Sequence, residues 1–218
     1  MLQHNARVKT SVMPKHNLND DPSAGLPGRL VVVSGPSGAG KTSVMRRVYR
    51  SCRVPLVRSV SATTRPPRSG EIDGVDYLFI TADEFQVRRQ RGEFVECFQV
   101  FDHACWYGTL WSEVTPGLSA GKWVVLEIDV QGALAVMERF AEAITIFLRP
   151  SSREELERRL QDRGTETREA LLQRLAAADY ELLQASQYRY QVINDHMDQA
   201  VRDVCDILTN EWEKSRHD

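Results

Sequence analysis

Short apolar runs alternate with longer amphipathic stretches over most of this 218-residue chain. The run Leu30-Val31-Val32-Val33 contains no polar position and lies between Gly28 and Gly35, the pattern of a strand buried on both faces of a sheet. Residues 41–49 follow it with helical spacing. Further buried strands are expected at 123–128 and 144–148, with a weaker one at 190–193. A helix fits 133–140, and a last one is expected over 198–212, where Val201, Val204, Cys205, Leu208 and Trp212 share one stripe. Strands alternating with helices predict an α/β fold with a central parallel sheet flanked by helices.

Three stretches depart from that rhythm. Residues 1–28 are polar, hold Pro14, Pro22, Pro27, Gly25 and Gly28, and lack a sustained period, so they read as a flexible tail. Residues 61–111 combine Pro66-Pro67, Gly70 and Gly74 with short alternating segments such as Tyr77-Leu78-Phe79-Ile80, and read as a small β-rich insertion. From 151 to about 185 the chain is helical and rich in arginine. There Ser152-Arg153-Glu154-Glu155 is a capping box, and Glu154/Arg158 and Glu155/Arg159 have the spacing of ion pairs. A break at Gly164-Thr165 starts a second helix with Leu171, Leu175, Ala178 and Leu182 on its buried stripe.

The first strand runs directly into Gly35-Pro36-Ser37-Gly38-Ala39-Gly40-Lys41-Thr42, which fits G-x-x-x-x-G-K-[ST], a loop that wraps the phosphates of a nucleotide. Glycines let backbone N–H groups converge on an anion, and the helix behind them points its positive end at the same place. Lys41 can reach the terminal phosphates, and the Thr42 hydroxyl can ligate a Mg²⁺ bridging them. The segment Glu127-Ile128-Asp129-Val130-Gln131-Gly132 contains D-x-x-G, as in a GTPase switch, but no N-K-x-D follows it to read a guanine bound at the loop.

A net charge of −2 argues against a nucleic-acid partner held by bulk positive charge, so phosphate recognition must come from locally gathered arginines. Cys52, Cys97, Cys105 and Cys205 include no C-x-x-C pair, which disfavours zinc and suits a reducing compartment. No apolar run is long enough for a signal peptide or a membrane span, so a soluble cytoplasmic protein is expected.

The block from Ser59 to Tyr77 carries Arg65-Pro66-Pro67-Arg68, two arginines three positions apart and stiffened by proline. Such a pair can form a rigid clamp on a second phosphate group; a solvated turn stiffened by Pro-Pro is the alternative. Together with the phosphate loop, the Ser61 to Tyr77 block, Trp106-Tyr107-Gly108-Thr109, Glu127 to Gly132, Arg163-Gly164-Thr165-Glu166-Thr167 with Arg174, and Val192-Ile193-Asn194-Asp195 resemble the guanylate kinases in sequence order, over about 29–210.

The resemblance implies a P-loop nucleoside monophosphate kinase fold with three parts: a core (about 29–60, 112–149 and 181–218), a GMP-binding insertion (about 61–111) and a helical lid (about 150–180). It implies that Arg65, Arg68, Tyr77 and Tyr107 hold the GMP phosphate and that Ser61, Glu96, Thr109 and Asp129 read the base. A carboxylate at Glu96 suits guanine, whose N1–H and exocyclic amine form a donor pair that adenine lacks. Asp129, at the end of an apolar strand, can orient either the guanine amine or a magnesium-bound water. In the lid, Arg163 and Arg174 are expected at the ATP phosphates beside Lys41, with Arg159 a weaker candidate. Seven arginines accompany six acidic residues between Arg149 and Arg174, so a solvated, ion-paired helix fits that stretch as well. Asn194 and Asp195 match the segment near the adenine of ATP; an Asx turn is the plainer reading.

One departure from the family stands between Glu96 and Tyr107, where the chain is two residues longer than the usual spacing and Asp102-His103-Ala104-Cys105-Trp106 replaces a short glycine-containing turn. A longer loop that leaves both strands in place accommodates it. The implied reaction is transfer of the γ-phosphoryl group of MgATP to GMP, and to dGMP, giving ADP and GDP for purine nucleotide metabolism and GMP recycling. Two rival readings are a non-catalytic domain of the same fold and a kinase acting on a phosphorylated sugar. Retention of Lys41, Thr42, Arg163 and Arg174 argues against the first, and the set Ser61, Glu96 and Thr109 against the second. A monomer and a homo-oligomer both fit the chain.

Overall fold

The computed structural model describes residues 27–100, 105–162 and 168–216. Its centre is β1 (Arg29–Ser34), flanked in a five-stranded parallel sheet by β2 (Leu56–Arg58), β7 (Trp123–Glu127), β8 (Ile144–Arg149) and β9 (Tyr190–Ile193) in the order β2-β7-β1-β8-β9. Alternation along β1 builds two helical layers. Val31 and Val33 pack against Val44, Met45 and Val48 of α1 (Lys41–Ser51) and Val201, Val204 and Leu208 of α7 (Met197–Lys214). Leu30 and Val32 face the other way, towards Val114 and Leu118 of α3 (Trp111–Ser119) and Val130, Ala133 and Val136 of α4 (Val130–Arg139). Each side chain buried this fully contributes roughly 1.5–3 kcal/mol, so the sheet is the rigid platform of the molecule. Its strands all end on one edge, where ligands of such sheets gather.

A second, four-stranded sheet has the order β4-β3-β6-β5, from β3 (Ala62–Thr63), β4 (Leu78–Phe79), β5 (Phe94–Val100) and β6 (Cys105–Leu110). It has a small core of its own, in which Phe85 of α2 (Ala82–Gln90) stacks on Phe94 with ring centroids 4.4 Å apart. β5 and β6 pair antiparallel from Val100 with Cys105 to Glu96 with Thr109, so both strands stay in place around the lengthened segment; Asp102, His103 and Ala104 lie outside the described residues.

Several boundaries differ from the sequence reading. The helix expected at 133–140 starts at Val130, because the Asp129 side chain caps it by accepting the Gly132 N–H at 2.9 Å. The strand expected at 77–80 shrinks to Leu78–Phe79, and the last helix runs on to Lys214. Neither α2 nor α3 was expected. Phe85 is the only buried residue of α2, and α3 carries Pro116 and Gly117, which hide a helical pattern.

The arginine-rich stretch forms α5 (Arg153–Gln161) and α6 (Arg168–Leu183). Ser152 caps α5 through the Glu155 N–H at 3.2 Å, and Glu155 pairs with Arg159 at 2.7 Å. Arg158 binds Glu155 and Asp162 instead of the expected Glu154, whose side chain lies in the first turn with its charge favoured by the helix N-terminus. Leu171, Leu175, Ala178 and Leu182 pack on Leu156 and Leu160 as their spacing predicts. The tail up to residue 26, and 163–167 with the Gly164-Thr165 break, lie outside the described residues.

Candidate phosphate-transfer site

The glycines of the phosphate loop are there for backbone geometry. Gly35, Gly38 and Gly40 have φ of +141°, +92° and +86°, where an L side chain is strained. A Cβ on Gly35 would lie 1.9 Å from the Leu148 carbonyl oxygen, and one on Gly40 would lie 2.5 Å from Asn194 Nδ2. Gly40 leads directly into α1, which aims its positive end at the loop. The Lys41 ammonium donates to the carbonyls of Gly35 at 2.6 Å and Pro36 at 3.2 Å, so it lies back across the loop.

Other elements brace this loop. Asn194, buried at the end of β9, donates from Nδ2 to the Ala39 carbonyl at 2.7 Å. Arg174 of α6 donates to Ser37 Oγ at 2.7 Å. Asp195 accepts from the Ser151 N–H at 3.0 Å, and Arg159 donates to the Asn194 carbonyl at 2.6 Å. Of the residues expected at ATP, therefore, the loop, Lys41, Thr42, Asn194 and Arg174 come together; Asp195 sits one step outward at the start of α5. Arg163 lies outside the described residues.

The two arginines expected to clamp a phosphate differ in their surroundings. Arg65 is buried and held by a fork: Nη1 and Nη2 each donate to Glu71 at 2.9 Å, and Nε donates to the Tyr107 hydroxyl at 3.1 Å. Tyr77 closes the group, its ring 5.9 Å from that of Tyr107 and 5.4 Å from the Arg65 guanidinium. Arg68 is exposed, and its backbone N–H donates to the same Glu71 carboxylate at 2.6 Å. Glu71 was not singled out in the sequence, although its place three residues beyond Arg68 in a turn was a signal that a carboxylate could organise both arginines.

Glu96 on β5 is 1% exposed and stands opposite Thr109 on β6. The Thr109 hydroxyl donates to Oε1 of Glu96 at 2.7 Å, whereas the buried Oε2 has no hydrogen-bond partner. Burial pushes the Glu96 carboxyl up to about 8, with the nearby Asp129 charge adding to the rise and Thr109 opposing it. Asp129, which caps α4, is raised to about 7, chiefly by burial; the Gly132 and Gln131 N–H groups and Lys41 pull it back. Gly132 keeps the space open, since a Cβ there would approach Oε2 of Glu96 to 2.8 Å. Ser61 is half-buried next to β3 and accepts the Leu78 N–H on its carbonyl at 3.0 Å.

Glu181 of α6 also went unremarked in the sequence. Burial raises its carboxyl above the usual range, while the Lys41 charge and the Ser37 N–H pull it back. Only tertiary contact puts it beside the loop.

A magnesium ion fits the donor chemistry here. Thr42 offers a hard hydroxyl oxygen, and the buried carboxyls of Glu127 and Asp129, both raised by burial, gain from a nearby cation. Among the described residues, no group of three or more His, Cys, Asp or Glu is arranged to hold a metal alone. Nor is any described helix long and apolar enough to cross a membrane.

A phosphate loop after the central strand of a parallel sheet, with a separate small sheet bearing the buried Arg65 paired with Glu71, is the architecture of the P-loop nucleoside monophosphate kinases. A family model described as guanylate kinase matches residues 27–211. A guanylate kinase from Rhodopirellula baltica is 54% identical over 186 residues, covering 85% of this chain and 89% of the relative. One from Thermotoga maritima is 44% identical over 86% of this chain and 89% of its own. The crystal structure of guanylate kinase from Anaplasma phagocytophilum superposes with a TM-score of 0.69 at 31% identity, covering 84% of this chain and 86% of that one. The chain belongs to the guanylate kinase family.

Proposed function

We infer that the protein transfers the γ-phosphoryl group of MgATP to the phosphate of GMP, giving ADP and GDP. The observation that carries this reading is the buried Glu96 carboxyl, one oxygen bound by Thr109 and the other without a partner. A guanine edge presents two donors to such a carboxylate, and its binding favours the ionised form. Arg65, oriented by Glu71 and Tyr107, and the exposed Arg68 hold the acceptor phosphate, with Tyr77 beside them. Ser61 and Asp129 complete the contacts to the base. The reading extends to dGMP, whose phosphate and guanine edge are those of GMP.

The phosphate loop from Gly35 to Thr42 holds ATP, with Asn194 and Asp195 behind it on the adenine side. An oxygen of the acceptor phosphate forms the new bond to the γ-phosphorus while the bond to the β,γ-bridging oxygen breaks, its electron pair leaving on ADP. The attacking oxygen is already anionic, so no general base is required. What the protein supplies is alignment and neutralisation of charge by Lys41, Arg65, Arg163 and Arg174. Thr42 would help hold a magnesium ion, which when bound would supply positive charge at the transferred group. α6 and the small sheet close over the reactants and keep out water, which would otherwise accept the phosphoryl group. The scatter of the cysteines and the nucleotide substrates support a reducing, cytoplasmic setting.

The test is product analysis with purified protein, MgATP and GMP. Equimolar, GMP-dependent ADP and GDP support the reading. ADP formation indifferent to GMP, or none with either nucleotide, overturns it.

A further inference from the structure

We propose that Arg58 is a positioning residue for the acceptor site, clasping the loop that leads into Tyr77 to the core sheet where the helix of the phosphate loop is anchored. This inference rests on the guanylate kinase reading above. Arg58 ends β2, the edge strand of the parallel sheet. Its Nη1 donates to the Val75 carbonyl at 2.8 Å and its Nη2 to the Asp76 carbonyl at 3.2 Å. Tyr77 comes next in the chain, against Arg65 and Tyr107. Holding two successive carbonyls fixes the backbone ahead of Tyr77 in both position and direction. A planar guanidinium can do this with donors at a set separation, whereas an ammonium offers one point.

The opposite side of the same guanidinium faces the core. Nε lies 3.5 Å from Oε1 of Glu127, at the end of β7. That oxygen also accepts from the Tyr49 hydroxyl at 3.1 Å, and Tyr49 lies on α1, which begins at Lys41 and Thr42. One side chain therefore touches both the loop next to the acceptor clamp and the carboxylate that anchors the donor-site helix.

Two further observations point to positioning in preference to packing. Arg58 Nε is ion-paired with Glu127 Oε1 at 3.5 Å, too long for a hydrogen bond, so the guanidinium sits where its fork meets the two carbonyls and not where it best meets the carboxylate. The loop also has little else to hold it against the core. A Cβ added at Gly70 or Gly74, with φ of +86° and +74°, would meet nothing within 4 Å, and Ile72 and Val75 are exposed. The bond from the Ile72 N–H to Asp76 Oδ2 keeps the loop's shape, while the bond from the Phe79 N–H to Asp73 Oδ1 at 2.9 Å and the Arg65 fork on Glu71 tie it to the small sheet and not to the core.

Steady-state kinetics of Arg58→Met and Arg58→Lys test this. Methionine keeps the apolar stem and removes every donor; lysine keeps the charge and loses the fork. Arg58→Met is expected to raise KM for GMP about tenfold, the loss of a charge-assisted contact, with KM for ATP changed less than about twofold. Arg58→Lys should fall between it and the wild type. A purely structural role would lower the active fraction, and hence apparent kcat, while leaving both KM values alone. An Arg58→Met enzyme with wild-type KM for GMP overturns the proposal; if that variant does not fold, an unchanged KM in Arg58→Lys overturns it. A wild-type protein that makes no GDP overturns the functional reading and this inference with it, before any variant is compared.

Discussion

Thr109 and Glu96 face each other across β6 and β5, the hydroxyl donating to one carboxyl oxygen at 2.7 Å while the other oxygen is buried without a partner. On the function proposed above, a guanine edge would supply the donors that this carboxyl lacks. Its state without substrate has consequences for stability.

Burial raises Glu96 to about 8 from an ordinary value of 4.5, so folding takes up a proton between those limits. The stabilisation from holding the neutral acid is full below pH 4.5 and is lost as pH rises through about 8. Glu96→Gln, neutral at every pH, should therefore gain thermal stability relative to the wild type as pH climbs from 5 to 8.5, by ~1.4 kcal/mol per pH unit at most. Melting temperatures of the two ligand-free proteins across that range decide it; a difference that does not vary with pH would mean that Glu96 ionises normally.

Gly132→Ala should separate selectivity from folding. The residue is helical, so alanine is favoured locally by about 0.5–1 kcal/mol, yet its Cβ would lie 2.8 Å from Glu96 Oε2 and 3.1 Å from Phe98 Cε1. The carboxylate must shift. The expected result is a KM for GMP raised about tenfold with a melting temperature close to the wild type. An unaltered KM would show that Glu96 need not sit where it does.

Arg65→Lys tests the clamp. Lysine cannot reproduce the fork to Glu71 together with the bond to Tyr107, so the change is not conservative despite the retained charge. Loss of kcat/KM for GMP by about 10²-fold is expected, with ATP binding intact. Steady-state kinetics with varied GMP measures the first and equilibrium titration with ATP the second; equal weakening of ATP and GMP would speak against a site specific to the acceptor.

Lys41→Ala removes the ammonium that crosses the phosphate loop. Turnover should fall about 10²–10³-fold, the usual cost of one preorganised charge at a developing anion. Residual GMP phosphorylation within tenfold of the wild type would contradict its role.

The parts of this architecture that sequence made legible are those in which neighbours along the chain do the work. The phosphate loop needs Gly35, Gly38 and Gly40 at left-handed angles within six positions, and the strand and helix beside it show their own periods. The α6 stripe and the Ser152 cap were legible for the same reason. The helix α3 was not, because Pro116 and Gly117 look like punctuation although the helix is held by Val114 and Leu118 against the sheet. The same limit applies to the site. Arg65 and Glu96 stood out by resemblance, but Glu181, Gly132 and Arg58 act through partners 17 or more residues away, or on another element, and carry no local signature. Asn194 illustrates both sides: it was marked as lying near ATP, and folding places its amide on the Ala39 carbonyl.

The most direct test of the account is the ratio of kcat/KM for GMP to that for AMP, with MgATP as donor. A site that buries Glu96 to receive a guanine donor pair should favour GMP by ~10⁴ or more, because AMP leaves that carboxyl unpaired. Comparable values for the two acceptors would contradict it.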